Sequence, residues 1–207
     1  MDGEDELRVK ACTMRLFEDV ASQEAPQRTF HIFGVNRGGT TAVAGVLSGL
    51  GIPLGTETGT NLEDRDFRLK RGLGAIVETV ARRNEAFDVW GWKHPHSNGY
   101  IEDLLPHLRN VRFIVTTRDL GANALGMYAR GDENAVMSLR ASMKQTRRNL
   151  NFVLEHKRPT LIVSYEKLLL RTEQTVSEIA RFCGVEMTAD HMRKINEFVQ
   201  PGRYKTD

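Results

Sequence analysis

The stretch "RTFHIFGVNRGGTTAVAGVLSGLG", residues 28–51, constrains the fold more than any other part of the chain. It opens on an apolar, β-rich run that reads as a buried strand ending at Gly34. "TTAVAGVLSGLG" then reads as a helix whose small residues permit close packing, stopped near Gly49–Gly51 and Pro53. Between them, Gly38 and Gly39 let backbone N–H groups converge at a helix N-terminus, where the dipole also favours negative charge. The plain alternative is a tight glycine turn that only starts a helix. Against the Walker pattern G-x-x-x-x-G-K-[ST], Gly34 and Gly39 keep the spacing and Thr41 takes the hydroxyl position. Thr40, however, stands where the lysine belongs. Without that lysine nothing in the loop compensates charge beyond one cradled phosphate, which disfavours a triphosphate. Thr40 and Thr41 add hydroxyl donors, and Arg37, inside the loop, can reach a group just beyond that phosphate.

The remaining chain alternates the same way. "FDVWGWKHP" reads as a second strand stopped by Pro95, "VRFIVTTR" as a third and "TLIVSY" as a fourth. A polar helix is predicted over 63–83, and a long one over 133–157 with Leu139, Met143, Thr146, Leu150 and Val153 along one face. Two or three short helices follow to about residue 198. "GTETGTNLED" is Gly/Thr-rich and predicts a mobile loop. Leu7, Ala11, Met14, Phe17 and Ala21 lie at helical spacing, so residues 1–27 predict a helical lead-in with its helix over 5–22. Alternating strands and helices indicate a single α/β domain over 1–207, a three-layer parallel sheet with helices on both faces.

Composition excludes several roles. The net charge of +2 is too small to argue for nucleic acid, and Arg82–Arg83 and Arg147–Arg148 read as solvated helix faces. No apolar run approaches the ~20 residues that span a bilayer, and the acidic "MDGEDELRVK" has no h-region. Cys12 and Cys183 show no metal or redox spacing, so free thiols in a soluble cytoplasmic protein are expected.

"GVNRGGTTA" resembles the 5′-phosphosulfate loop of sulfotransferases, whose forms include R-S-G-T-T and K-G-G-T. Four more blocks agree with that family in the correct order over about residues 29–185. "NVRFIVTTRDLGANALGMY" resembles its 3′-phosphate block, which makes Arg118 the matching arginine, at the carboxyl end of a strand where ligands bind in open α/β sheets. Gly126 departs from the pattern by occupying the serine position, and Asn123 on the same predicted helix is a candidate substitute. "LIVSYEKLL" resembles the V-x-Y-E-D-L segment, implying that Tyr165 lies against the donor's adenosine, and "TEQTVSEIARFCGVEM" resembles the helix and glycine turn that follow. "NLEDRDFRL" and "WGWKHPH" resemble the G-x-x-E-D-x-x and K-x-P segments of bacterial members. In the family a carboxylate or histidine takes the acceptor's proton and a lysine contacts the transferring group, so Glu63, Lys93, His94 and His96 are the candidates. "QPGRYKTD" resembles a late loop over the 3′-phosphate, which adds Arg203 and Lys205.

Each residue also has a plainer reading. Arg118 can pair with Asp119, Tyr165 can be core, Glu63 can favour a helix N-terminus, and Lys93 and the histidines can be ordinary strand-end residues. A zinc site at His94 and His96 lacks a third ligand. The resemblance implies a P-loop-containing nucleoside triphosphate hydrolase-like (sulfotransferase) fold and a metal-free transfer. The donor would be 3′-phosphoadenosine-5′-phosphosulfate (PAPS), the product 3′,5′-ADP (PAP), and the acceptor a hydroxyl or amine of a small molecule or carbohydrate. The rival readings are a nucleotide kinase-like P-loop enzyme and a non-catalytic nucleotide-binding protein of the same fold.

Overall fold

A computed structural model describes residues 11–18, 25–55, 58–95, 97–129, 131 and 134–200. Four parallel strands form the centre of the sheet: β2 (Arg28–Gly34), β3 (Val89–Lys93), β4 (Val111–Thr117) and β5 (Thr160–Ser164). A short strand, β1 (Thr13–Leu16), adds antiparallel to β5, so the order is β1-β5-β4-β2-β3. β1 corrects the helix expected over 5–22, whose other residues lie mostly outside those described. Helical spacing there is overridden by an anchor from far along the chain. The Glu178 carboxylate accepts from the N–H groups of Cys12 and Thr13 and from the Thr13 hydroxyl.

Side chains alternate along the buried strands and feed two cores. Phe30 and Ile32 of β2, Ile114 of β4, and Leu161 and Val163 of β5 pack on one face. That face is covered by α1 (Thr40–Gly49) together with the later helices α7 (Thr172–Cys183) and α8 (Ala189–Phe198). The small residues of α1 have a use here, since a Cβ on Gly45 would run into Phe198. The opposite face is aromatic: Phe33, Trp90, Trp92 and Phe113 lie under α2 (Leu73–Ala86), α3 (Ile101–Leu104) and α5 (Ala135–His156). His31 is buried there against the rings of Phe33 and Trp92, and burial drives its pKa well below the ordinary value.

Two expectations need correction. The polar helix predicted over 63–83 is two 3₁₀ turns, Arg65–Phe67 and Leu69–Arg71, followed by α2. Within the Gly/Thr-rich loop before it, a bridge pairs Thr58 with Asp64, and Leu62 N–H donates to Gly59 O at 2.8 Å. The inward face of α5 is Ser138, Ser142, Asn149, Phe152 and Val153, whereas Met143 is 54% exposed. Both free cysteines are buried, and burial pushes the Cys183 thiol up to about 12. No described helix is long and apolar enough to cross a membrane.

Candidate active site

The carboxyl ends of β2, β3, β4 and β5 converge on one pocket of about 100 Å³. It is lined by the loop residues Asn36–Thr41 except Gly38, by Asn61, Glu63, Lys93 and Pro95, and by Arg118 and Tyr165. The loop leaves β2 through two left-handed residues, Arg37 at φ 60° and Gly39 at φ 88°. Gly39 has a second reason to be glycine, because a Cβ there would run into the Tyr165 ring. The N–H groups of Gly39, Thr40 and Thr41 meet no acceptor among the described residues. They open α1 at its positive dipole end, which is the composition of an anion site.

Arg118 extends from the end of β4 and donates to Arg37 O at 2.9 Å, its guanidinium 5.0 Å from the centre of the Tyr165 ring. It does not pair with Asp119, which instead caps α4 (Leu120–Tyr128) by accepting from Ala122 N–H at 2.7 Å. Tyr165 opens α6 (Tyr165–Leu170) and packs under both the loop and Arg118. A Cβ on Gly126 of α4 would lie 3.8 Å from Arg118 Nη1, an ordinary contact. Asn123, the candidate substitute for the missing serine, is fully buried and donates to Asn36 O at 2.6 Å, so it holds the loop backbone.

Lys93 answers the lysine question raised by the loop. β3 pairs in parallel with β2 so that Lys93 stands level with Ile32, two residues before Gly34. From there its buried ammonium donates to Asn61 O at 3.0 Å and Glu63 Oε1 at 3.0 Å, and lies 3.4 Å from Thr41 Oγ1. A neighbouring strand thus brings a cation to the hydroxyl of the Walker-like motif. Burial lowers the Lys93 pKa, with Arg37 adding to the effect while Glu63 opposes it. Burial alone would raise Glu63, but Lys93, His94 and Arg68 outweigh it and hold the carboxyl below its usual range. The turn carrying Glu63 is fixed by its neighbour. Asp64 is fully buried and meets Arg83 Nη1 at 2.6 Å, and Arg83 lies over the Phe67 and Trp90 rings.

Among the other candidates, His94 is not among the residues lining the pocket. Its N–H donates to Ile32 O at 3.1 Å, and its ring lies edge-on to Tyr100. His96, Arg203 and Lys205 lie outside the described residues. No cluster of three or more potential metal ligands occurs among the described residues. Sequence reasoning missed Asn36 and Asn61 of the pocket lining and also Gln145 of α5, whose side chain hydrogen-bonds to the loop backbone. The signal for Gln145 was the polar stripe on the inward side of α5, where an apolar one was expected.

The glycine loop and the ammonium of Lys93 from the next strand thus meet in one pocket at the carboxyl ends of the strands. The chain belongs to the sulfotransferase family: the model described as "Sulfotransferase family" matches residues 56–189, more than half of its length. No curated protein matches it by sequence. Among solved structures it is similar to the sulfotransferase domain of the Synechococcus PCC 7002 olefin synthase, at 17% identity and TM-score 0.63, covering 89% of this chain and 84% of that one. Mouse sulfotransferase SULT7A1, solved in complex with PAP, matches at 16% identity and TM-score 0.53, covering 88% and 68%. Sulfotransferase STF9 from Mycobacterium avium matches at 12% identity and TM-score 0.51, covering 86% and 69%. At these identities the likeness is one of fold. The family match begins after the glycine loop, so that loop is an independent observation.

Proposed function

We propose that the chain moves a sulfuryl group from PAPS to a hydroxyl or amine of a small-molecule or carbohydrate acceptor, releasing 3′,5′-ADP. The observation that carries this reading is the convergence of the glycine loop and Lys93 on one pocket, the Lys93 ammonium lying 3.4 Å from Thr41 Oγ1 and so supplying a cation from outside the loop. The glycine cradle, the hydroxyls of Thr40 and Thr41, and the cations Arg37, Lys93 and Arg118 fit a phosphosulfate with a second phosphate nearby. The neighbour crystallised with PAP has the same fold.

When bound, the donor supplies an activated S–O bond whose cleavage puts negative charge on the bridging oxygen and the departing phosphate. The loop N–H groups are preorganised for the phosphate, and this is the main catalytic contribution expected of the chain. Arg37 serves the bridge or the sulfonyl oxygens electrostatically, because a guanidinium keeps its proton. Lys93 faces the same group from β3. Arg118, whose guanidinium lies over the Tyr165 ring, serves the 3′-phosphate. Glu63, on the pocket wall, takes the acceptor's proton. Its low basicity suits a step in which the proton leaves late.

Calorimetry with 3′,5′-ADP, 5′-AMP, ADP and ATP–Mg²⁺ tests the reading. 3′,5′-ADP should bind most tightly, and at a hundredfold over Kd should stabilise the fold by ~2.7 kcal/mol. Equal binding of 5′-AMP and 3′,5′-ADP would remove Arg118 from its role. Tightest binding of ATP–Mg²⁺ would favour the kinase reading.

A further inference from the structure

Gln145 belongs to none of the motifs of the site, yet its one amide touches three segments of it. Its Oε1 accepts from Asn36 N–H at 3.1 Å, while its Nε2 donates to Gly34 O at 3.2 Å and to Pro95 O at 3.4 Å. It therefore ties together the end of β2, the second residue of the loop and the turn after β3. Ser142, one turn earlier on α5, is hydrogen-bonded to Asn123 Oδ1, and Asn123 in turn donates to Asn36 O. The inward polar stripe of α5 is turned toward the loop backbone.

The consequence for the loop is an asymmetry between its two kinds of backbone group. Four consecutive carbonyls are engaged within the protein: Gly34 O by Gln145, Val35 O by Gly38 N–H, Asn36 O by Asn123 and Arg37 O by Arg118. The next three N–H groups, at Gly39, Thr40 and Thr41, have no acceptor among the described residues. An anion is held only if carbonyl oxygens are kept from facing it, since a single flipped peptide exchanges attraction for repulsion. Glycine-rich backbone has the freedom to make that flip. Side chains that pin the carbonyls restrict it.

We propose that Gln145 is a positioning residue for the phosphate loop, locking the peptides at Gly34–Asn36 so that the N–H groups beyond them stay aimed at the donor's phosphate. The identity of that ligand rests on the proposed function, whereas the brace is a property of the loop itself. The competing account is that Gln145 only satisfies buried backbone groups and docks α5 on the sheet.

Two variants and two measurements separate these accounts. Gln145→Met keeps length but neither donates nor accepts here, and Gln145→Glu keeps the acceptor for Asn36 N–H while losing the donor. Residue-resolved amide hydrogen exchange on the ligand-free protein is the first measurement. In Gln145→Met the amides of Asn36, Gly38 and Ala42 should exchange at least about tenfold faster, the equivalent of ~1.4 kcal/mol, with those of β4 unchanged. In Gln145→Glu the Asn36 amide should stay protected while Gly38 and Ala42 still accelerate. The second measurement is 3′,5′-ADP calorimetry, in which Gln145→Met should weaken binding about tenfold and Gln145→Glu more, through its added charge. Uniform acceleration that includes β4, with unchanged affinity in the folded protein, would overturn the proposal. So would unchanged exchange at Gly38 and Ala42 in both variants. If the wild-type protein does not bind 3′,5′-ADP, the donor reading fails, and the exchange data still decide the brace. Should Gln145→Met not fold, Gln145→Glu decides it alone.

Discussion

The two walls of the pocket are made of different materials. One wall, formed by the loop with Arg118 and Tyr165, presents backbone N–H groups and permanent cations. The other, formed by the end of β3 and the turn at 58–64, presents Lys93 held on Glu63, the one carboxylate among the described lining residues. The first wall offers no carboxylate or imidazole among the described lining residues, so it can stabilise charge but has no base to move a proton. The second wall holds a carboxylate and can. Lys93 joins the two, because its ammonium lies against both Thr41 and Glu63. The division matches what a sulfuryl transfer requires: charge stabilisation at the leaving phosphate and proton removal at the acceptor.

The largest test of this division removes charge from the first wall. Arg37→Ala should lower kcat by the ~10²–10³ associated with a lost preorganised donor. Affinity for 3′,5′-ADP should fall much less, because the charge it meets develops only as sulfate leaves. Arg37→Lys should keep part of the rate, having a point charge without the planar fork. The measurement needs an acceptor, to be found by screening hydroxyl-bearing sugars and small molecules with labelled donor. Wild-type turnover by Arg37→Ala would move the chemistry to the Lys93 wall.

A somewhat smaller effect is expected from the second wall, and it carries a pH signature. Glu63→Gln should lower kcat by ~10²-fold, the lower end of general-base contributions. It should leave 3′,5′-ADP binding equal or tighter, because Lys93 loses its competing carboxylate. For the wild type, activity should be lost as pH falls through the Glu63 pKa, which Lys93, His94 and Arg68 together hold below the ordinary 4.5 despite burial. Lys93→Met removes the main opposing cation but not the burial, so the acid limb of kcat/KM should move to higher pH. An acid limb that stays in place would mean that another group is the base.

The two walls also differed in how far they could be read from the sequence. The first is local: β2, the glycine loop and α1 follow one another, and a continuous apolar run followed by Gly38–Gly39 announces itself. Arg118 and Tyr165 were legible as strand-end residues for the same reason. On the second wall Lys93 and Glu63 were legible only as separate candidates. Their meeting at Thr41 depends on the parallel register of Ile32 with Lys93 and on the Thr58–Asp64 bridge, neither of which leaves a pattern along the chain. β1 was misread because an edge strand of four residues, with Met14 58% exposed, has no apolar alternation to show. α5 was misregistered because its inward stripe contains Ser138, Ser142 and Asn149 beside Gln145. A rule that turns apolar residues inward fails when a helix packs partly on another segment's polar backbone.

The smallest effect sharpens the first wall at the position where it departs from the family pattern. Gly126 stands on α4 where the resemblance calls for a serine beside the 3′-phosphate arginine. A Cβ there would meet only Arg118 Nη1, at 3.8 Å, so Gly126→Ser fits without moving the backbone. Helix propensity also favours serine over glycine by a few tenths of a kcal/mol, so the variant should be slightly more stable. Its hydroxyl would stand close to the guanidinium that is to receive the 3′-phosphate. A hydrogen bond to a charged group contributes ~1.5–3 kcal/mol, and ordering the serine side chain offsets part of that. A severalfold to tenfold tightening for 3′,5′-ADP, with 5′-AMP unchanged, is therefore expected by calorimetry. The 5′-AMP control separates the two contributions: a gain in helix stability would strengthen both ligands alike, whereas a hydroxyl at the 3′-phosphate affects only the ligand that has one. An equal change for both would place Gly126 outside the donor site, and Arg118 would then lack the second contact that the family pattern gives it.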